Sequence, residues 1–358
     1  MPVIPVQLIA VTGLLLLTAC ADMPTEMRFY PDGADTGVTR LWPDLPEVPR
    51  YRYAGQLTGE HNFGPAERSE PGAGEKLLRW IVGLGEGNRQ MPRILVRPQS
   101  GMVDDAGRIY VTDTGRQALF VFDGLQGRLH IWNQADRGDS FVDPIGVAMG
   151  PAGEILVTDA TLQRVVRLHA DGRVLGSYGG DVLQRPTGIV FDPATQQAYV
   201  VDTRAHRVKV FDAAGTLVRE FGSHGTAPGQ FNAPTHIALS GGRLYITDTL
   251  NARLQILDLD GNPVSSIGRR GLYVGNLTRP KGVTVDADGN IYVVESYYDH
   301  LLVFNRNGEF LLPIGGTGSS IGKFYLPAGA WGDRQGRIYV ADMYNGRVMI
   351  FHYLGADT

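Results

Sequence analysis

The sequence predicts an all-β chain built as a six-bladed β-propeller of four-stranded blades, and three observations lead there. Residues 107–122, GRIYVTDTGRQALFVF, return almost unchanged at 336–351 as GRIYVADMYNGRVMIF. The same frame recurs four times between them, marked by Asp113, Asp159, Asp202, Asp248, Glu295 and Asp342 at spacings of 46, 43, 46, 47 and 47 residues. Each copy consists of short β-branched and aromatic runs separated by turns, with no helical period between them.

Each copy divides into four strand-length pieces. A Pro-x-Gly-apolar start opens it, as in PIGVAM at 144, PTGIVF at 186, PTHIAL at 234, PKGVTV at 280 and PAGAWG at 327. The second piece carries Tyr110, Leu156, Tyr199, Tyr245, Tyr292 or Tyr339 three residues before the marker, in the β-branched and aromatic company that favours strands. A turn follows the marker. The third piece runs through Leu119, Val165, Val208, Leu254, Leu301 or Val348, and a fourth ends in Gly, as in GTLVREFG at 215–222 and GEFLLPIG at 308–315. One such sheet cannot bury both faces, so six stack radially around a channel.

The sixth copy runs out at Phe351, with only HYLGADT left. Its outer strand must come from elsewhere, and KLLRWIVG at 76–83, which parallels the pieces ending in Gly222 and Gly315, is the expected closing strand. The propeller is accordingly expected over 76–352, with a tail at 353–358. The segment RYRYAGQLTG at 50–59 is expected as at most one added edge strand.

The repeat resembles the NHL-repeat family of six-bladed propellers. That family reads roughly Pro-x-Gly-apolar, then Gly-x-apolar-Tyr-Val-x-Asp, then Asn-x-Arg-Val-x-Val-Phe, and PKGVTVDADGNIYVVE followed by LLVF lies close to it. The resemblance covers about residues 76–352 and speaks to fold; propellers of this kind host both binding and catalysis.

The first residues form a separate unit. Leu8 to Ala19 is an apolar run too short to span a bilayer, and it reads as the core of a signal peptide over 1–19. Leu17-Thr18-Ala19-Cys20 resembles the bacterial lipobox, which implies that Cys20, the only cysteine, carries the lipid anchor. Ala21 in place of Asp after that cysteine implies sorting to the outer membrane, facing the periplasm or the surface. With no other cysteine, the fold uses no disulfide. Residues 20–75 hold the lipidated cysteine and a tether or arm, because seven prolines and seven glycines between Ala21 and Glu75 exclude a long helix.

Composition excludes one class of partner. The net charge is −4 and no basic run exceeds Arg269-Arg270, so the phosphate-neutralising surface that nucleic acid requires is missing.

Because they recur in nearly every copy, the marker carboxylates and the arginines five residues later (Arg164, Arg207, Arg253, Arg347) are expected to be architectural, capping turn amides and pairing with each other. Departures from the repeat are better candidates for function. In the fifth copy the marker is Glu295, and Tyr297, Tyr298, Asp299 and His300 replace the usual turn, with His300 in the arginine place. Aromatic side chains with polar tips are characteristic contact residues. In the fourth copy His236 stands where other starts have Gly, in the strand expected to line the channel.

These features predict a monomeric ring that binds an envelope protein or a small ligand at one rim, without catalysis or cofactor. The alternative is an enzyme with a metal in its channel. The family resemblance brings in a peptidyl-hydroxyglycine lyase with zinc, for which His206, His236 and His300 are the available imidazoles. Gln163 stands where a lyase-like pattern would want another histidine. A calcium-dependent lactonase would need converging acidic and amide ligands that spacing does not single out.

Overall fold

The computed structural model describes residues 25–29, 40–65 and 93–355. Six sheets follow one another in chain order, beside a two-stranded ribbon of Thr25–Met27 against Phe63–Pro65. Blade four shows the plan, with Pro234–Ser240, Arg243–Asp248, Arg253–Asp258 and Pro263–Ile267 paired antiparallel in sequence order.

The innermost strands are Pro98–Val103, Pro144–Met149, Pro186–Asp192, Pro234–Ser240, Pro280–Val285 and Ala330–Gly332. They touch in cyclic order, and the last meets the first, so the ring is closed. Five of them begin with proline, the strand position where a missing N–H removes no ladder bond. In such a meander the second-to-third turns and the blade-to-blade loops share one end of the sheets. That end, the marker rim, carries Asp113, Asp159, Asp202, Asp248, Glu295 and Asp342; the other two kinds of turn form the opposite rim.

The glycine of the Pro-x-Gly start answers to crowding at the axis. A Cβ on Gly146 would stand 2.3 Å from Thr187 O, one on Gly282 2.3 Å from Ala330 N, and one on Gly329 2.3 Å from Gln99 O. In blades two, three, five and six this glycine therefore packs directly onto the backbone of the next blade. Ser100 and His236 fill the equivalent place in blades one and four, since their amides meet Thr112 and Thr247 Oγ1 as the Gly146 amide meets Thr158 Oγ1.

Apolar side chains between neighbouring sheets form the core. Tyr110 of blade one, for instance, packs with Val147, Val157 and Val166 of blade two. The repeated tyrosine is fully buried in blades one, three, five and six. In blades one, five and six its hydroxyl is satisfied by the hairpin aspartate of its own blade, Tyr110 donating to Asp104 at 3.1 Å, Tyr292 to Asp286 at 2.7 Å and Tyr339 to Asp333 at 2.9 Å, and in blade three Tyr199 donates to Gln197 Oε1 at 3.3 Å. A buried phenol needs such a partner, which explains tyrosine rather than phenylalanine.

The sixth blade corrects the expectation for closure. An N-terminal strand does complete it, but the strand is Tyr51–Leu57, antiparallel to Arg347–Tyr353 with Leu57 opposite Val348 and Tyr51 opposite Tyr353. Leu41–Trp42 adds a fifth strand outside it. Residues 76–83 lie outside the described residues, and residues 41–57, expected as arm, belong to the ring. The physical reason is the period-two pattern of YRYAGQL, which turns Tyr51, Tyr53 and Leu57 inward and leaves Arg52 exposed. Tyr51 also reaches the next sheet, its hydroxyl 3.1 Å from that of Tyr292.

Candidate functional site at the marker rim

The marker carboxylates are buried and grip backbone. Asp113 accepts from the amides of Val96, Arg97 and Arg116, and Asp159 from those of Val142, Asp143, Thr161 and Leu162. Asp113 and Asp159 thus fasten the loop entering their own blade to the turn leaving the second strand. Burial pushes Asp113, Glu295 and Asp342 above the ordinary carboxylate range, and these backbone amides oppose the shift. The architectural expectation holds for the carboxylates and needs correction for the arginines. Arg253 and Arg347 pair with their markers at 2.8 Å, whereas Arg164 pairs with Asp136 and Asp139 and Arg207 with Glu220. In blade three Lys209 takes over, 3.2 Å from Asp202.

A second device was not legible beforehand. The residue four after the marker has a left-handed backbone, φ 54° at Gln117, 58° at Gln163, 55° at His206 and 58° at Asp299. From there its side chain reaches the next blade: Gln117 and Gln163 donate to Val142 O and Gln184 O, while His206 Nδ1 accepts from the Ala233 amide at 3.0 Å and Asp299 Oδ1 from the Leu326 amide at 2.7 Å. Asp299 is 4% exposed and also accepts from Thr317 Oγ1. It is thus a seam residue, not the exposed contact residue expected from its turn.

The remaining residues of the blade-five departure do line a cavity. About 300 Å³ opens between the blade-four-to-five loop, residues 272–276, and the turn that carries Tyr297, Tyr298 and His300, with Glu295 among its lining residues. Tyr297 is 60% exposed, and its ring meets that of Tyr298 edge-on at 4.9 Å. Burial holds the His300 imidazole below its usual range, so it is neutral at pH 7. Sequence reading missed the opposite wall: Leu272, Tyr273 and Val274 project outward, Tyr273 being 83% exposed. A signal was present, because Leu-Tyr-Val stands where the preceding loop has Thr226-Ala227-Pro228 and the following one Ser319-Ser320-Ile321.

The cavity exists because blade five lacks two side chains. In blades four and six, Asn251 and Arg253, or Asn345 and Arg347, extend under the preceding loop and donate to its carbonyls. Blade five has Tyr298 and His300 in those places.

His236 does not line the cavity. It is 9% exposed on the inner strand of blade four, with Nδ1 3.0 Å from Thr235 Oγ1 and Nε2 buried without a hydrogen-bond partner among the described residues. Burial, with the charge of Lys281 on the next inner strand, pushes its pKa down to about 3. His206, on the blade-three turn, lies 4.6 Å from the His224 ring. The three histidines considered for zinc thus occupy three different blades, and among the described residues no three His, Cys, Asp or Glu side chains are grouped to hold a metal ion.

Known proteins agree with this architecture. Residues 183–211, spanning the first three strands of blade three, match the NHL repeat. Protein brain tumor of Drosophila melanogaster is 28% identical over 129 residues, which are 35% of this chain and 12% of that protein; the chain thus spans a small part of that relative. Virginiamycin B lyase from Staphylococcus aureus superposes with a TM-score of 0.53 at 15% identity, covering 72% of this chain and 96% of the lyase. A gluconolactonase from Xanthomonas campestris gives 0.55 at 15% identity, covering 72% and 86%. At such identities the likeness establishes fold alone. The chain is a six-bladed β-propeller whose third blade matches the NHL repeat.

Proposed function

We propose that the chain is a non-catalytic binding module, tethered to the outer membrane through lipidated Cys20, that engages a protein partner at the marker rim of blade five. The observation that carries this reading is the cavity of about 300 Å³, walled by Tyr273, Tyr297 and Tyr298 where blade five lacks the asparagine and arginine that fill the same place in blades four and six. Aromatic rings supply large contact area with few rotatable bonds, and they sit here on a frame fixed by the ring. The carboxylate of Glu295 is taken up by the amides of Thr278, Arg279 and Tyr297, which suits a structural floor better than a proton-transfer group.

A photoreactive amino acid placed at Tyr273 tests the rim in cells, with Leu125 on the opposite rim, 81% exposed, as control. A discrete adduct is expected from position 273, lost when Tyr297 and Tyr298 become Ala, and none from position 125. Equal adducts from both rims, or none from 273, defeat the reading. Cys20→Ala is expected to move the protein from the membrane to the soluble fraction, and a protein that stays behind refutes the anchor.

A further inference from the structure

Blades four and six show what their own rim sockets hold. Arg253 donates Nε to Asp248 at 2.8 Å and Nη2 to the carbonyls of Ala227 at 3.0 Å and Gln230 at 2.8 Å. Arg347 repeats this with Asp342 at 2.8 Å, Ser320 O at 3.1 Å and Lys323 O at 2.9 Å. In both, one guanidinium joins a buried marker carboxylate to two loop carbonyls.

Blade five keeps the loop that makes such a socket. The Asn276 amide donates to Tyr273 O at 3.0 Å, as Gln230 does to Ala227 at 3.0 Å and Lys323 to Ser320 at 3.1 Å. The isolated bridge from Arg270 to Leu277 matches those from His224 to Phe231 and from Thr317 to Phe324. Tyr273 O and Asn276 O are therefore the counterparts of the carbonyls that hold Arg253 and Arg347. No side chain among the described residues donates to either. Glu295 is 1% exposed and, like Asp113 and Asp159 but unlike Asp202, Asp248 and Asp342, has no ion-paired lysine or arginine among the described residues, so its buried charge is met by the amides of Thr278, Arg279 and Tyr297. Neither Arg279 nor Lys323, whose charges act on Glu295 and His300, fills the place: both are outside the cavity lining, and the Lys323 ammonium donates to Gly315 O at 3.1 Å.

We propose that the blade-five cavity receives the guanidinium of an arginine side chain from the partner, held by Tyr273 O and Asn276 O, as the sister blades hold their own arginines, over the buried negative charge of Glu295. The inference rests on the marker-rim reading and names the chemistry of the partner. A guanidinium fits because its planar fork of five donors matches carbonyl and carboxylate acceptors together, and its faces stack on rings such as Tyr273, Tyr297 and Tyr298. Lysine, with a compact and strongly hydrated charge, lacks that fork.

The test is titration of the full chain in detergent with N-acetyl-arginine amide, followed by nuclear magnetic resonance. N-acetyl-citrulline amide, of the same shape without the charge, and N-acetyl-lysine amide are the controls. Saturable binding of the arginine compound is expected, at least tenfold tighter than either control. The double variant Tyr298→Asn/His300→Arg restores the blade-four pair and is expected to weaken binding at least tenfold while keeping or raising the melting temperature. No saturable binding, equal binding of citrulline, or unchanged binding in the double variant overturns the proposal. If adducts form from position 273 and the arginine compound does not bind, arginine recognition fails and the rim reading stands. If it binds and no adduct forms, the rim reading fails.

Discussion

Arg347 donates its Nε to Oδ2 of Asp342 at 2.8 Å, and both side chains are buried. Removing one member of such a pair leaves the other charge buried alone, which costs about 3–5 kcal/mol. Arg347→Ala is therefore expected to lower unfolding stability by about that amount in urea denaturation. Arg207→Ala, which breaks a half-exposed pair with Glu220, is expected to cost under about 1 kcal/mol. Equal costs would show that burial does not set the strength of these contacts.

His236 gives stability a pH dependence. Its pKa is pushed from the ordinary 6.5 down to about 3, so the folded protein keeps it neutral while the unfolded chain takes up a proton below about 6.5. Stability is complete above that pH and falls as pH drops toward 3. At pH 5 the loss is about 2 kcal/mol, one and a half units at about 1.36 kcal/mol each. His206, His300 and His352 are shifted the same way, so the informative quantity is the difference between wild type and His236→Met. The variant is expected to lose about 2 kcal/mol less than wild type between pH 7 and pH 5. Parallel pH profiles would remove His236 from the account.

The axis beside Gly282 leaves no room for a Cβ. At Gly282 it would stand 2.3 Å from Ala330 N and 2.5 Å from Gly329 C, both backbone atoms. Gly282→Ala is expected to destabilise by about 2–3 kcal/mol, within the range of overpacked sites. Gly180→Ala, where a Cβ would meet nothing within 4 Å, is expected to stay within about 0.5 kcal/mol. Thermal melts of the two variants check this directly.

Ring closure depends on Tyr51, which is 2% exposed between the rings of Tyr292 and Tyr353. Tyr51→Ala is expected to cost about 4 kcal/mol and Tyr51→Phe about 1 kcal/mol, the second by loss of the hydroxyl pair with Tyr292. A chain beginning at Glu60 is expected to lose its single cooperative transition, whereas one beginning at Arg40 keeps it. A cooperative melt from the shorter chain would mean that another segment closes the ring.

The blades were legible because the repeat states each of them: the proline starts, the buried tyrosines and the marker carboxylates fall where spacing put them. Closure was misread because 76–83 imitates the composition of a fourth strand, while the strand in place, Tyr51–Leu57, shows itself by alternation within a proline-rich stretch. The site was half legible. Tyr297, Tyr298 and His300 announced themselves by breaking the repeat, but the same break includes Asp299, whose side chain turns to the next blade. That distinction depends on φ at one residue, and composition does not record it. Tyr273 escaped because it stands in a blade-to-blade loop, outside the strand frame that the repeat keeps constant.

The strand from Tyr51 to Leu57 finds its partner at the far end of the chain, as in the contact between Gln56 and Arg347, 291 positions apart. At a synthesis rate of about 5–20 residues per second, roughly 15–60 s separate the appearance of the two. Throughout that interval one of the earliest strands made has an unpaired edge, and the five preceding blades can form without it. The period of greatest aggregation risk is therefore set by the circumference of the ring and not by the strength of the joint, and a permuted chain that begins at the inner strand of blade six would abolish the wait without altering a single contact.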